Sequence, residues 1–366
     1  MVTLLFVYLG HTPDYVFENI ARTRALFSSN KIVFYGTQIP PLDWINKHKI
    51  DFIRQVPDPE FDTYAKQFGD INHGQNGYWR FTVERLLAIS TYHEQFSNEK
   101  VLHVESDVIL MPNFPIETFA TLEEAAWIGY GNKADIASIV YLPNFESTKL
   151  LRKMILAELS LGNLNDMKIL FNVRNRIKVT LLPVAESNDT IFGGVKSKYY
   201  LGDIASLEDQ DVFEGIFDSA SIGIWLTGQD PRNRFGFTKI RTMEIVNNGA
   251  VQVDPSQGSF SLDSKGLLFI LNSRSERIPV YNLHIHSKDI ELFSRNWESR
   301  LRKYIEIDGN HPRFVEFNFR MFLELLRLNT RQKTLVRFLL NTPLMVRLRK
   351  LRPATKNPKM SDEEIG

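Results

Sequence analysis

The chain has 366 residues, with 44 Lys and Arg against 43 Asp and Glu, a formal net charge of +1 and 43% hydrophobic residues. This composition excludes a disordered polyelectrolyte and predicts a sizeable core in one large domain or two smaller ones; near-zero charge argues against a dedicated nucleic-acid binder, whose affinity rests on neutralising phosphates. With no cysteine, no disulfide, zinc–thiolate site or cysteine nucleophile is available.

No run of about 20 apolar residues occurs, and residues 1–7 lack the basic start of a signal peptide, so a cytoplasmic protein is expected. The apolar run 4–9, closed by Gly10, has the length of a strand. Thr12 and Pro13 then read as an N-cap and a first helical position, and Val16, Ile20 and Phe27 share one face of a helix reaching about residue 29. Strands follow at 31–35 and 50–56. Residues 72–77 read as a loop, and Trp79, Val83 and Leu86 mark a helix ending near Phe96. Strands are expected at 101–104, 134–142 and 177–182, with an amphipathic helix at 146–161. This alternation is the pattern of an α/β fold with a mostly parallel sheet. Beyond residue 182 the pattern turns irregular up to the apolar run 280–285, as substrate loops do. From Trp297 it becomes helical, and ten basic residues with no acidic one stand between Leu325 and Met360. That is the composition of a basic amphipathic helix, read either as a solvated face or as a contact with an anionic membrane surface.

Residues 101–110, Val-Leu-His-Val-Glu-Ser-Asp-Val-Ile-Leu, carry the sharpest chemical signal. A strand buried on both faces should be almost wholly apolar, yet this one ends in Glu105 and Asp107. While the chain stays extended, alternation puts His103, Glu105 and Asp107 on one side. Ligands of open α/β sheets bind outside the carboxyl ends of the strands, where these acids would lie. Paired oxygens there suit a hard divalent cation, Mg2+ or Mn2+, bridging to a diphosphate; a turn or helix cap is the competing reading. In Asn282-Leu283-His284-Ile285-His286-Ser287-Lys288, His284 or His286 could complete such a site and Lys288 could meet a phosphate oxygen. The alternative is one buried and one exposed histidine.

The strand ending Glu105-Ser106-Asp107, with Val108-Ile109-Leu110 and Pro112-Asn113-Phe114 after it, resembles the variant D-x-D motif of glycosyltransferases with the GT-A fold. The resemblance, over about residues 1–290, implies that Asp107 binds the divalent metal holding a nucleotide-sugar donor. It implies that Glu105, in place of the usual first aspartate, meets ribose, metal or backbone. His284 or His286 with Lys288 is similar to the family's C-terminal metal and diphosphate contact, His286 being the preferred ligand. Asn165-Asp166-Met167 resembles its acidic segment near donor sugar and acceptor. On this basis residues 1–295 form a GT-A-type, Rossmann-like domain, with a nucleotide-binding half to about 115 and an acceptor half from about 116. Residues 296–352 form a basic helical extension and 353–366 a disordered tail.

Other residues fit this plan. Leu9, Gly10 and His11, between the first strand and helix, are placed to contact base or ribose, or form a plain turn. Arg80, in Tyr78-Trp79-Arg80 with Glu84 and Arg85 beyond, could approach the diphosphate or lie on a solvated face. Gly193-Gly194 and residues 217–223 read as acceptor-side loops, where Asp218 is either a base or a helix cap. Metal-dependent sugar transfer to a hydroxyl of a carbohydrate or lipid-linked acceptor is therefore expected, with Asp166 or Asp218 as the catalytic carboxylate and UDP-sugar ahead of GDP-sugar as donor. Nucleotidyl transfer would call for a glycine-rich basic loop after the first strand, for which residues 10–13 are a poor substitute. A non-catalytic scaffold binding a membrane or partner would have no use for the acidic and histidine clusters together.

Overall fold

The computed structural model describes residues 1–65, 76–130, 134–184, 212–227, 259–271 and 277–306. All of these fall within residues 1–317, the first of the two units into which the chain divides. The apolar runs of the first half become β1 (Val2–Tyr8), β2 (Ile32–Gly36), β3 (Asp51–Arg54) and β4 (Lys100–Val104). With β6 (Ala125–Tyr130), β7 (Ala134–Leu142) and β8 (Val179–Leu182) they form a seven-stranded sheet ordered β3-β2-β1-β4-β7-β6-β8. Only β7 runs against its neighbours, β4 and β6; the other four neighbouring pairs are parallel. β1 and β2 are buried nearly throughout because helices cover both faces of the sheet, which is why they read as continuous apolar runs.

The helices are α1 (Asp14–Leu26), α2 (Leu42–His48), α3 (Pro59–Ala65), α4 (Asn76–Gln95), α5 (Ile116–Thr121), α6 (Phe145–Ser160) and α7 (Asp166–Arg174). A hydrophobic core forms where Val83, Leu86 and Ile89 of α4, Leu151 and Ile155 of α6, and Leu170 and Val173 of α7 pack on Leu5, Val33, Val101 and Val140 of the sheet. The expected major strands and helices appear within a few residues of their sequence bounds. One detail differs: Pro13, not Thr12, is the N-cap of α1, and no side chain caps it. The Thr12 N–H instead binds the Gln38 side chain at 2.8 Å. The six- and seven-residue helices α2, α3 and α5 were not legible, being too short to show a 3.6-residue period.

In the second half, β5 (Val108–Leu110), α8 (Ser221–Thr227), β9 (Ser259–Leu262), β10 (Leu268–Leu271), β11 (Arg277–Val280), β12 (Asn282–His284), α9 (Ile290–Phe293) and α10 (Trp297–Glu306) follow. The apolar run 280–285 is divided between the end of β11, which joins an antiparallel sheet with β10 and β9, and β12, which pairs with β5. Gly193, Gly194 and the basic segment from residue 307 onward lie outside the described residues. Among the described residues no helix is long and apolar enough to cross a membrane.

Strand order reverses between β1 and β4, and outside the carboxyl ends of strands flanking such a switch point open α/β sheets form their ligand crevice. Two braces hold the far lip of that crevice. From α1, the buried Asn19 donates to the Ser106 and Val108 carbonyls at 3.1 and 2.8 Å, and Arg22 donates to the Leu110 carbonyl at 2.7 Å. From the other side, Asp218 acts as a hub between α8 and β12. Its Oδ1 accepts the N–H groups of Ala220 and Ile222, both at 2.9 Å, and its Oδ2 accepts those of Gly223 at 2.9 Å and His284 at 2.8 Å. Gly223 lets α8 approach this closely, since a Cβ there would overlap the His284 carbonyl. Asp218→Asn replaces an acceptor oxygen with an NH2 group and strands buried N–H donors. A loss of about 2–4 kcal/mol is expected by urea denaturation, and an unchanged midpoint would contradict the hub.

Candidate functional site

The site is built by a turn and a short strand pair. β4 makes its last ladder bond through the Glu105 N–H to the Ser138 carbonyl at 2.9 Å, and the chain then turns, with the Val108 N–H on the Glu105 carbonyl at 3.0 Å. Glu105 and Asp107 are therefore brought together by a turn, not by the strand alternation expected from sequence. His103 stays behind in the sheet, fully buried, with Nδ1 3.0 Å from the Leu5 carbonyl. Beyond the turn, β5 pairs antiparallel with β12 and sets Val108 opposite His284. The Ile285 N–H then closes on the Asp107 carbonyl at 2.8 Å.

This register delivers the His284 ring to the acids. Its Nε2 lies 3.3 Å from Asp107 Oδ2 and 3.5 Å from Glu105 Oε2. One donor atom from each of Glu105, Asp107 and His284 falls within 4.8 Å of the others. Lys288, with a left-handed φ of 52°, brings its Nζ onto Asp107 Oδ2. The same ammonium lies 5.7 Å from the centre of the Tyr15 ring in α1.

A second pair joins from α4 and α7. Arg85 contacts Glu105 Oε1 and reaches Asp166 Oδ2 at 3.8 Å. Asp166 is the first residue of α7, whose N-cap Asn165 accepts the Lys168 N–H at 3.1 Å. Sequence reasoning chose Arg80 for the diphosphate. Five residues apart on a helix is about 140° around its axis, so Arg80 and Arg85 serve different places. Arg80 lies 3.9 Å from Glu84 and 5.9 Å from the centre of the Phe61 ring, and it is Arg85 that contacts Glu105. The signal that could have selected Arg85 is its helical spacing, three and four residues before the core residues Ala88 and Ile89 and so on their face of α4.

Burial shapes the electrostatics. It would raise the Glu105 carboxyl, but Arg85, His284 and Lys288 outweigh it and hold Glu105 below the usual range. Burial keeps His284 below its ordinary value, aided by Arg85 and opposed by Glu105 and Asp218, so the ring is a neutral donor. Burial pulls Lys288 down to about 7, with Glu105 opposing. Asp166 is pushed up to about 6, chiefly by burial and further by Glu105, against the pull of Arg85. Groups with such shifts gathered in one crevice are what a reactive site needs and a passive surface does not.

The structure thus brings together Glu105, Asp107, His284, Lys288 and Asp166. Sequence preferred His286, but its ring lies beside that of His284, centroids 4.4 Å apart, and it is His284 that joins the acids. Asp218 stands directly behind His284 with both oxygens engaged by backbone donors. That is the capping alternative in geometric form, and service as a base would require giving those donors up. Leu9, Gly10 and His11 leave β1 on the strand next to β4, at the same sheet edge as the acidic turn. Gly10, at φ 95°, exchanges two hydrogen bonds with the Thr37 hydroxyl, and His11 is exposed.

No protein-family model matches the sequence, and no curated protein sequence matches it. Among solved structures the chain is similar to the PaToxG glycosyltransferase, at 6% identity over 48% of this chain and 68% of that one, with a TM-score of 0.34. It is similar to the galactosyltransferase LgtC in complex with donor and acceptor sugar analogs, at 13% identity over 50% of this chain and 73% of that one, with a TM-score of 0.34. A third likeness is to apo-form GlyE of Streptococcus pneumoniae TIGR4, at 15% identity over 49% of this chain and 44% of that one, with a TM-score of 0.32. At these identities and scores the likeness assigns no residue a role.

Proposed function

We propose that the chain is a metal-dependent glycosyltransferase that moves a sugar from a nucleoside-diphosphate donor, UDP before GDP, to a hydroxyl of a carbohydrate or lipid-linked acceptor. The observation that carries this reading is the convergence of Glu105, Asp107, His284 and Lys288 at the switch-point crevice of the sheet. A scaffold would gain nothing from it, because burying two carboxylates, an ammonium and a guanidinium costs desolvation that pairing offsets only in part.

The donor set fits a hard or borderline divalent cation such as Mn2+ or Mg2+. It offers two carboxylates, one held ionised, and one imidazole held neutral, with donor atoms already close together. Glu105, Asp107 and His284 would hold that ion, whose chemistry there is to offset charge on a departing diphosphate. Lys288 supplies a second positive charge at the same lip. Arg85 holds Glu105 in place and stands between it and Asp166. Asp166, with a value near 6, is ionised at neutral pH and basic enough to take or orient the proton of an acceptor hydroxyl.

Thermal stability against UDP, GDP and their sugars, with and without Mn2+, tests the binding half of this reading in the wild type and in Asp107→Asn. A nucleotide near 100 times its Kd should stabilise by about 2.7 kcal/mol, a rise of roughly 2–4 °C. The Mn2+-dependent part of that rise should vanish in Asp107→Asn, each protein being compared with its own unliganded melting temperature. No shift with any nucleotide would overturn the proposal.

The catalytic half is tested by pH. With Asp166 as base, kcat/KM for the responding donor should climb about tenfold per unit below pH 6 and level off towards pH 7, and Asp166→Asn should lose that limb. Because the folded value of about 6 lies above the ordinary 3.8, the native state holds this proton longer than the unfolded chain. The contribution of Asp166 to stability should therefore fall as pH rises between those values and be level beyond them, and Asp166→Asn should remove that fall. A rate limb that survives in Asp166→Asn would assign the base elsewhere.

A further inference from the structure

Resting on the cation-site reading above, a sharper inference concerns how that site is held before ligands arrive. Each carboxylate of the pair already carries a cationic side chain: Lys288 on Asp107 and Arg85 on Glu105. Lys288 is 4% exposed, so its ammonium has no bulk water to fall back on. Around it stand Asp107, the ring of Tyr15 and the charges of Glu105 and Arg85. The backbone that carries it is fixed at both ends. The Lys288 N–H binds the Ile285 carbonyl at 3.2 Å. The next residue, Asp289, is buried and accepts from Arg300 Nε at 2.7 Å and the Tyr304 hydroxyl at 2.6 Å. Only the flexible stem of Lys288 is left to move.

We propose that Lys288 is a latch that occupies Asp107 in the empty site and exchanges it for the donor diphosphate, so that cation and diphosphate bind weakly alone and strongly together. A divalent ion entering between Glu105, Asp107 and His284 competes with the ammonium for Asp107 Oδ2, the oxygen that also faces His284. Once displaced, a buried ammonium needs another anion, since leaving it unpaired is costly. A diphosphate in the same crevice provides that anion. Thermodynamic linkage then makes the effect reciprocal: whatever the diphosphate adds to cation affinity through Lys288, the cation adds to diphosphate affinity.

A lysine that simply awaited phosphate, without the latch, would give a different pattern, and calorimetric titration at pH 6.5 separates the two. For Lys288→Met the latch predicts that Mn2+ alone binds about tenfold more tightly than to wild type. UDP alone, with GDP run in parallel, should be unchanged in that variant. UDP with saturating Mn2+ should be weaker by a similar factor. A waiting lysine instead predicts unchanged Mn2+ binding and weaker UDP binding with or without metal, and that result would overturn the latch. Asp107→Asn provides an independent arm should Lys288→Met not fold. Removing the carboxylate frees the ammonium, so UDP without metal should bind about tenfold more tightly than to wild type, and equal or weaker binding would overturn the latch. If wild type takes up Mn2+ and UDP together but these signatures are missing, only the latch fails. If wild type takes up neither Mn2+ nor any nucleoside diphosphate, the functional reading fails and the latch with it.

Discussion

The antiparallel pairing of β5 with β12 is the contact on which the site depends. It spans three residues on each strand, yet it joins the chain leaving β4 of the seven-stranded sheet to a segment more than 170 residues further along. Its register sets Val108 opposite His284, and a shift of one residue would turn the imidazole to the other face. So short a ladder has little stability of its own, and the braces around it account for its fixity. Asn19 and Arg22 hold the β5 side from α1, and Asp218, Asn282 and the close approach at Gly223 hold the β12 side from α8.

That fixity matters because the charges it gathers are costly to bury. Glu105, Asp166, His284 and Lys288 are each less than a tenth exposed, and Asp107 is partly so. Two cations set against three acids keep the cluster tolerable, and burial together with neighbouring charge displaces Lys288, Glu105 and Asp166 from their ordinary titration. Lys288 is easier to discharge, Glu105 harder to protonate and Asp166 easier to protonate. A protein selected for stability alone would replace such a cluster with apolar packing. Its persistence at the carboxyl ends of β1 and β4 is understandable if a ligand completes it.

Much of this architecture was legible in the sequence because burial on both sheet faces writes continuous apolar runs at β1, β2 and β4, and the long helices α1, α4 and α6 show their period. The acids Glu105 and Asp107 stood out for the same reason, as polar residues where an apolar strand should have continued. What was not legible depended on geometry that spacing does not encode. The turn after Glu105 broke the alternation that would have kept His103 with the acids. The choice between His284 and His286 was decided by where β12 ends against β5, and that between Arg80 and Arg85 by which side chain reaches Glu105 beyond β4. Asp218 carried two sequence readings, and only the four backbone donors around it show what its oxygens hold.

The proposed sugar transfer requires Glu105, Asp107 and His284 to form one divalent-cation site facing a diphosphate. Anomalous diffraction at the manganese edge, from crystals of the full chain grown with Mn2+ and the nucleoside diphosphate that stabilises it, tests this most directly. The account predicts a single strong peak within ligand distance of all three side chains, with Lys288 moved from Asp107 to a phosphate oxygen. A peak elsewhere, or nucleotide bound in the crevice with Lys288 still on Asp107 and no manganese beside it, would contradict it.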